Sequence, residues 1–325
     1  MSASLIELPR CNICDSADSV LLFPDTVLSE LGEKGIVRCS HCGLVYRNIR
    51  KTEQAILEEY SSKEHPHFTP DWAEGRKRVF RSHIETLFRF KKTGNILDVG
   101  AGYGFFAAAC KEAGWNCTGV EPSMQFRKFA ERELGIHLSS NVVEHASFAN
   151  ESFDVVTLWN VLAHLTDPMK TLSHLYRLLR PGGAIVIRSP NSAFHVPTRR
   201  ILTGIGRIVP ILRSMDETVF HLYSFDKSTI SRMLHDAGFR DTHVSPSILR
   251  RTSTHNAVST LPRSLLAHVV TLGTRSVYFL TANRLLLSPS LLAMSIKPNE
   301  EISEPKDGQP SSESAPCASP DEVSS

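Results

Sequence analysis

The sequence predicts an α/β fold, a doubly wound and mainly parallel sheet preceded by a small cysteine-bearing module. Three observations carry that expectation. A buried strand turns into a helix through three glycines at residues 96–107. Apolar segments with alternating strand and helix spacing continue from there to residue 297. Two C-x-x-C pairs stand near the start of the chain.

Taken in chain order, the cysteines come first. Cys11 and Cys14 form one knuckle and Cys39 and Cys42 the other, with 24 residues between the pairs. Four thiolates so spaced match a zinc ribbon, which holds Zn2+ tetrahedrally and leaves room for a short hairpin. His41, inside the second knuckle, is a weaker ligand candidate. A disulfide framework would need an oxidising compartment, and the opening M-S-A-S-L-I-E-L-P-R has neither the basic start nor the apolar run of a secretory leader. A cytoplasmic setting is therefore expected. Residues 1–50 read as the zinc-ribbon module and 51–90 as a helical connector, with a short helix around Thr52 to Tyr60.

Ile96 to Ala107 reads I-L-D-V-G-A-G-Y-G-F-F-A. Ile96, Leu97 and Val99 suit a parallel strand covered on both faces, and Gly100, Gly102 and Gly104 let the backbone bend and approach a ligand. The next strand, Asn116 to Val120, ends on Glu121, about twenty residues past the first glycine, where an acidic side chain can accept hydrogen bonds from both ribose hydroxyls. This arrangement alone suits NAD or S-adenosylmethionine. The spacing G-x-G-x-G with Asp98 two residues ahead departs from the dinucleotide form, whose later third glycine seats a pyrophosphate on the helix N-terminus.

At this point the chain resembles the class I S-adenosylmethionine-dependent methyltransferases, whose first motif is D-V-G-x-G-x-G and whose second strand ends in an acidic residue. Further segments of residues 90–297 continue the resemblance. Glu151 to Trp159 is similar to the fourth strand of that family and Asn160 to Pro168 to the loop after it. Leu179 to Asn191, L-R-P-G-G-A-I-V-I-R-S-P-N, is similar to the turn and fifth strand, and His221 to Phe239 to a segment before the last two strands. The resemblance implies a seven-stranded Rossmann-like methyltransferase sheet over residues 91–297. The ribbon followed by Gly43-Leu44-Val45-Tyr46 also resembles a subgroup that includes sugar C-methyltransferases.

Helical spacing agrees with this order. Phe126, Phe129, Ala130 and Leu134 share one face; Met169, Leu172, Leu175, Tyr176 and Leu179 a second; Ile230, Met233, Leu234 and Ala237 a third. With 325 residues, 41% of them hydrophobic, the chain can bury one ordinary core with a small satellite. Residues 264–294 carry only Arg275 and Arg284 as formal charges. They read as an apolar helical insertion, about 262–288, and then Leu291 to Lys297 as a final antiparallel strand. The interruptions fall short of the ~20 continuous apolar residues that cross a bilayer; the insertion suits a pocket cover or an interface. Residues 298–325 read as a disordered acidic tail of net charge −6, which leaves +8 on residues 1–297. Arg199, Arg200, Arg207 and Arg213 suit a solvated helix face, with RNA or a peripheral membrane surface as the alternatives that basic charge leaves open.

The resemblance implies that Gly100, Gly102 and Gly104 shape the wall beside the methionine part of S-adenosyl-L-methionine. It implies that Asp98 orients that wall, Glu121 holds the ribose and Asn160 meets the methionine amine or the acceptor. His164 and His221 are the candidate general bases, because a neutral imidazole can take a proton near neutral pH. The chain has Leu162-Ala163-His164 where relatives often carry L-E-H, and Glu144 is a poorly placed candidate for the acidic adenine contact after the third strand. The expected activity is methyl transfer to oxygen or carbon of a small or carrier-linked molecule, such as a sugar or secondary-metabolite precursor. No DNA partner is expected: the N-P-P-Y sequence that clamps a flipped base is absent from Leu158-Trp159-Asn160-Val161. A zinc-ribbon RNA methyltransferase and a non-catalytic cofactor-fold binding protein are the competing readings.

Overall fold

Period-two alternation decides which way the central strands face. In β6 (Asn95–Val99), Ile96 packs with Ile84 and Leu87 from α2 (Pro70–Leu87) and with Phe106, Ala109 and Cys110 from α3 (Phe105–Glu112), while Leu97 and Val99 turn to the opposite layer. That second layer contains Leu172 and Leu175 of α5 (Pro168–Leu178) and Ile230, Met233 and Leu234 of α7 (Lys227–Asp236). Two helical layers thus cover one sheet. The computed structural model describes residues 6–24, 35–62, 70–88, 91–205, 221–247 and 286–299, with the single residues 273, 276, 280 and 281.

The sheet adds β7 (Asn116–Val120), β8 (Leu138–Ser139), β9 (Phe153–Trp159), β10 (Leu179–Pro190), β12 (Arg240–Pro246) and β13 (Ser290–Ile296) to β6. It has seven strands in the order β12-β13-β10-β9-β6-β7-β8, parallel from β10 to β8. β13 lies antiparallel between β10 and β12, so the last strand falls where the sequence places it. The fold is Rossmann-like and doubly wound. Helix ends follow local chemistry: Gly104 at φ 74 opens α3, Gly135 at φ 63 closes α4 (Met124–Leu134), and Asp226 with Thr229 forms a capping box on α7.

Leu179 is a correction. The helical face proposed for Met169 to Leu179 stops at Leu178, and Leu179 opens β10 opposite Phe153. Backbone N–H groups of Glu151 and Ser152 take the carbonyls of Arg177 and Leu178, and Pro181 follows, so the helix has nowhere to continue. The bulk of the insertion expected at 262–288 and nearly all of the tail expected at 298–325 lie outside the described residues, as do Arg207 and Arg213. Among the described residues no helix is long and apolar enough to cross a membrane.

The N-terminal residues form a second, antiparallel sheet from β2 (Ser19–Pro24), β3 (Gly35–Cys39) and β4 (Val45–Arg47), and its fourth strand comes from far along the chain. That strand is β11 (Tyr223–Ser224), which pairs with β4. The ribbon is less of a satellite than composition alone suggests. Its Cys11, Val37, Cys39, Leu44 and Tyr46 share one continuous apolar cluster with Leu162, Tyr223 and Phe225. β1 (Ile6–Glu7) pairs antiparallel with β5 (Arg50–Lys51), α1 (Glu53–Ser62) follows β5 along the chain, and α6 (Ser192–Ile205) sets Val196 and Arg199 against Phe23 of β2.

Candidate active site and cysteine cluster

The three glycines of the turn all have left-handed φ, at 65°, 54° and 74°, yet they meet different surroundings. A Cβ at Gly100 would stand 2.6 Å from Val161 Cγ2, and one at Gly104 would stand 2.9 Å from Ala130 Cβ. These two let strand, loop and helix close on one another. A Cβ at Gly102 would meet nothing within 4 Å, so open space lies beside the middle of the turn.

Glu121 follows β7 and is 0% exposed. Its Oε2 accepts the Gly102 N–H at 2.8 Å and its Oε1 the Ser123 N–H at 2.8 Å. Burial holds its pKa above the ordinary carboxylate value against those two amides. The Tyr60 hydroxyl of α1 donates to Oε2 at 3.5 Å, and Tyr60 and Tyr103 both lie edge-on to Phe126. Asp98 is buried too. Its Oδ1 accepts the Thr157 hydroxyl at 2.8 Å, its Oδ2 has no hydrogen-bond partner, and burial pushes its pKa up to about 8.

Asn160 follows β9 in a left-handed conformation, φ 62°, and its Oδ1 accepts Arg188 Nη1 at 2.7 Å. Four residues on, His164 lies against His221 with ring centroids 3.9 Å apart, so the two histidines singled out in the sequence are brought together. Burial, then His164, Arg47 and His195, pushes the His221 pKa down to about 4. The β11 segment makes this contact: it pairs with β4 on one side, Arg47 N–H donating to Leu222 O, and bridges Asn191 to Phe225 on the other. Glu144 accepts the Thr171 hydroxyl of α5, which holds it against that helix.

A model of the methyltransferase domain matches residues 72–244, which include the glycine turn, Glu121 and both histidines. The chain belongs to this methyltransferase domain family. It is 32% identical over 106 residues to a ubiquinone biosynthesis O-methyltransferase of Haemophilus ducreyi, which takes in 30% of this chain and 45% of that one. With the protein of the same description from Hydrogenovibrio crunogenus it shares 30% over 117 residues, 33% of this chain and 48% of that one. The chain thus spans less than half the length of the curated relatives it matches. An Archaeoglobus fulgidus S-adenosylmethionine-dependent methyltransferase structure aligns with TM-score 0.44 and 20% identity over 76% of this chain and 100% of that one.

The turn fits a nucleoside cofactor on three counts: the open space at Gly102, the partnerless Asp98 Oδ2, and the partnerless Ser123 hydroxyl beside Glu121. Ionised Glu121 has about four lone-pair sites and spends two on backbone amides and one on Tyr60, so acceptor capacity remains. Tyr60, Arg188 and Asn12 reach the site or its loop from distant parts of the chain, and no local motif announces them.

Asn12 belongs to the first cysteine knuckle. The four sulfurs of Cys11, Cys14, Cys39 and Cys42 lie within 4.8 Å of one another, with Cys11 to Cys42 at 3.3 Å and Cys14 to Cys39 at 3.5 Å. These are free thiols. Four sulfurs around one zinc at about 2.3 Å would stand about 3.8 Å apart, so the donor set and its size fit that ion. His41 is outside the cluster, paired with Asp18 at 3.1 Å. Between the cysteines, Asn12 Oδ1 accepts the Met169 N–H at 2.9 Å and Nδ2 donates to Asp167 at 2.9 Å. The knuckle therefore caps α5, at the exit of the loop that carries His164. Arg50 donates to the Tyr223 hydroxyl, which donates to Thr166 O and pins the same loop a second time.

Proposed function

We propose that the protein is an S-adenosylmethionine-dependent methyltransferase that methylates an oxygen, or less readily a carbon, of a small or carrier-linked molecule in the cytoplasm. The observation that carries this reading is the glycine turn, open at Gly102 and closed on Glu121, with the His164 and His221 rings in contact at the carboxyl ends of the strands. Ligands of doubly wound sheets sit at that edge. The printed names of the relatives, ubiquinone biosynthesis O-methyltransferases, favour oxygen over carbon.

S-adenosylmethionine, when bound, supplies a methyl group already activated by its positive sulfur. Glu121 would hold the ribose hydroxyls, Asp98 and the Gly102 turn would frame the methionine part, and Asn160 would face it or the acceptor. The protein's work is then alignment, exclusion of water and removal of one proton. His221 is neutral near pH 7, since its pKa is about 4, and can accept a hydrogen bond from an acceptor hydroxyl. A developing negative charge on that oxygen would raise its basicity where it is needed. In this reading Zn2+ on Cys11, Cys14, Cys39 and Cys42 holds the ribbon shut, and the ribbon in turn holds the loop of His164 through Asn12.

Calorimetric titration of the zinc-loaded protein with S-adenosylmethionine, S-adenosylhomocysteine and NAD tests the reading. Saturable binding of the first two and not the third is expected, followed by transfer of labelled methyl to an acceptor pool. Binding of NAD alone would overturn it.

A further inference from the structure

Among the described residues, the hydrogen bonds of Arg188 all go to neutral acceptors. Arg188 stands near the carboxyl end of β10, half-buried, between Trp159 of β9 and Leu292 of β13 in register. Its guanidinium donates from Nη1 to Asn160 Oδ1 at 2.7 Å, from Nε to Ser247 Oγ at 2.9 Å and from Nη2 to Ser290 Oγ at 3.2 Å. All three acceptors are neutral. Among the described residues no carboxylate lies within ion-pair distance of it, and burial, followed by the charge of Arg76 on α2, pushes its pKa down to about 10. At neutral pH the group stays charged in a place that disfavours charge.

A desolvated cation held only by neutral oxygens is costly unless an anion visits it. The three hydrogen bonds fix the plane of the guanidinium and leave two of its five N–H groups uncommitted, the number a carboxylate takes in a forked pair. A second, independent sign stands beside it. Trp159 shares the face of the sheet with Arg188, as register partners on parallel strands do, and its buried Nε1 has no hydrogen-bond partner. His83, stacked on Trp159 at 4.6 Å, is pushed down to about pKa 4 by burial and by Arg188, and so adds no acid to the group. Asn160 joins Arg188 to the cofactor turn, because its neighbour Val161 is the residue that Gly100 packs against.

We propose that Arg188 is the centre of a carboxylate-binding subsite, with Trp159 Nε1 as an auxiliary donor. The proposal rests on the methyltransferase reading for its two sources of carboxylate: the methionine end of the cofactor, or an acidic acceptor lying beside it. Arg188 binds and orients; it takes no part in bond making.

The test uses the full-length, zinc-loaded protein and the variants R188Q and R188K. Calorimetry compares S-adenosylmethionine with its decarboxylated form, which keeps the sulfonium and amine. If the wild type prefers the carboxylated ligand at least tenfold and R188Q abolishes the preference, the subsite takes the carboxylate of the cofactor. If R188Q leaves both affinities unchanged, acetate is titrated into the S-adenosylhomocysteine-loaded protein while the Arg188 Nε–H resonance is followed. A saturable shift of the Arg188 Nε–H and of the Trp159 indole N–H in the wild type, with the indole shift absent in R188Q, assigns the subsite to the acceptor. R188K keeps the charge without the fork and should retain only part of either effect, which covers the case of an unstable R188Q. No preference and no acetate response overturns the proposal. Failure of the wild type to bind any adenosyl ligand refutes the methyltransferase reading instead, and acetate titration of the ligand-free protein still reports on Arg188.

Discussion

Two single-methyl substitutions in one turn should have different consequences, one mainly for stability and the other mainly for ligand binding. Gly100→Ala and Gly102→Ala each force an alanine into a left-handed conformation, φ 65° and 54°, at about 1–2 kcal/mol. Only Gly100→Ala also drives a methyl to 2.6 Å from Val161 Cγ2, between two elements of the core, and that overpacking adds about 1–3 kcal/mol. Gly100→Ala should therefore destabilise the protein by about 2–5 kcal/mol, a large part of the ~5–15 kcal/mol that holds a domain folded. Gly102→Ala should cost about 1–2 kcal/mol in stability. Its methyl enters the open space, where the cofactor would lie, and should weaken S-adenosylhomocysteine binding about tenfold or more, roughly 1.4 kcal/mol. Urea unfolding followed by circular dichroism and calorimetric titration measure the two effects on the same samples. If Gly102→Ala lost as much stability as Gly100→Ala and bound the ligand normally, the assignment of the open space to the cofactor would be refuted.

Replacing Cys39 and Cys42 together by serine should release about one zinc per chain, read by elemental analysis; equal metal content before and after removes the ribbon assignment. Asn12→Ala should keep the metal and cost about 0.5–2 kcal/mol, because Met169 N–H loses the acceptor that caps α5; an unchanged urea midpoint would show that water replaces the cap. Asp98 has a folded pKa of about 8 against about 3.9 unfolded, so the stability its proton confers is full below about pH 4 and lost as pH rises toward 8. Asp98→Asn, which keeps an oxygen for Thr157, should raise the melting temperature of the ligand-free protein at pH 8 and change it far less at about pH 4; an equal shift at both pH values contradicts the buried-carboxyl account. His164→Ala and His221→Ala should each lower labelled-methyl transfer by about a hundredfold or more while leaving S-adenosylhomocysteine affinity intact. Loss of affinity in either would make that histidine part of the cofactor wall.

What was legible in the sequence is what neighbours along the chain decide. Ile96 to Ala107 announced a strand, a glycine turn and a helix because burial on two faces, left-handed φ and helix spacing are each written in adjacent residues. Glu121 could be placed because one helix and one strand of ordinary length lead to it, and the final strand because Leu291 to Lys297 follows an interrupted apolar run. The two knuckles could be paired because C-x-x-C is local. The helix limit at Leu178 was missed by one residue, since what ends α5 is a pair of amides from Glu151 and Ser152 that arrive from an earlier loop.

The sequence by itself thus determined the layered α/β sheet, the cofactor turn and the four cysteines. Only the tertiary structure decided that Tyr223 and Ser224 complete the ribbon's sheet, that Asn12 caps α5, that His164 meets His221 and that Arg188 donates to Asn160, Ser247 and Ser290. The physical reason is common to all four. A hydrogen bond or a ring contact is satisfied by whichever group stands a few ångströms away, and residues 57 or 157 apart in the chain leave no shared period for a pattern to reveal.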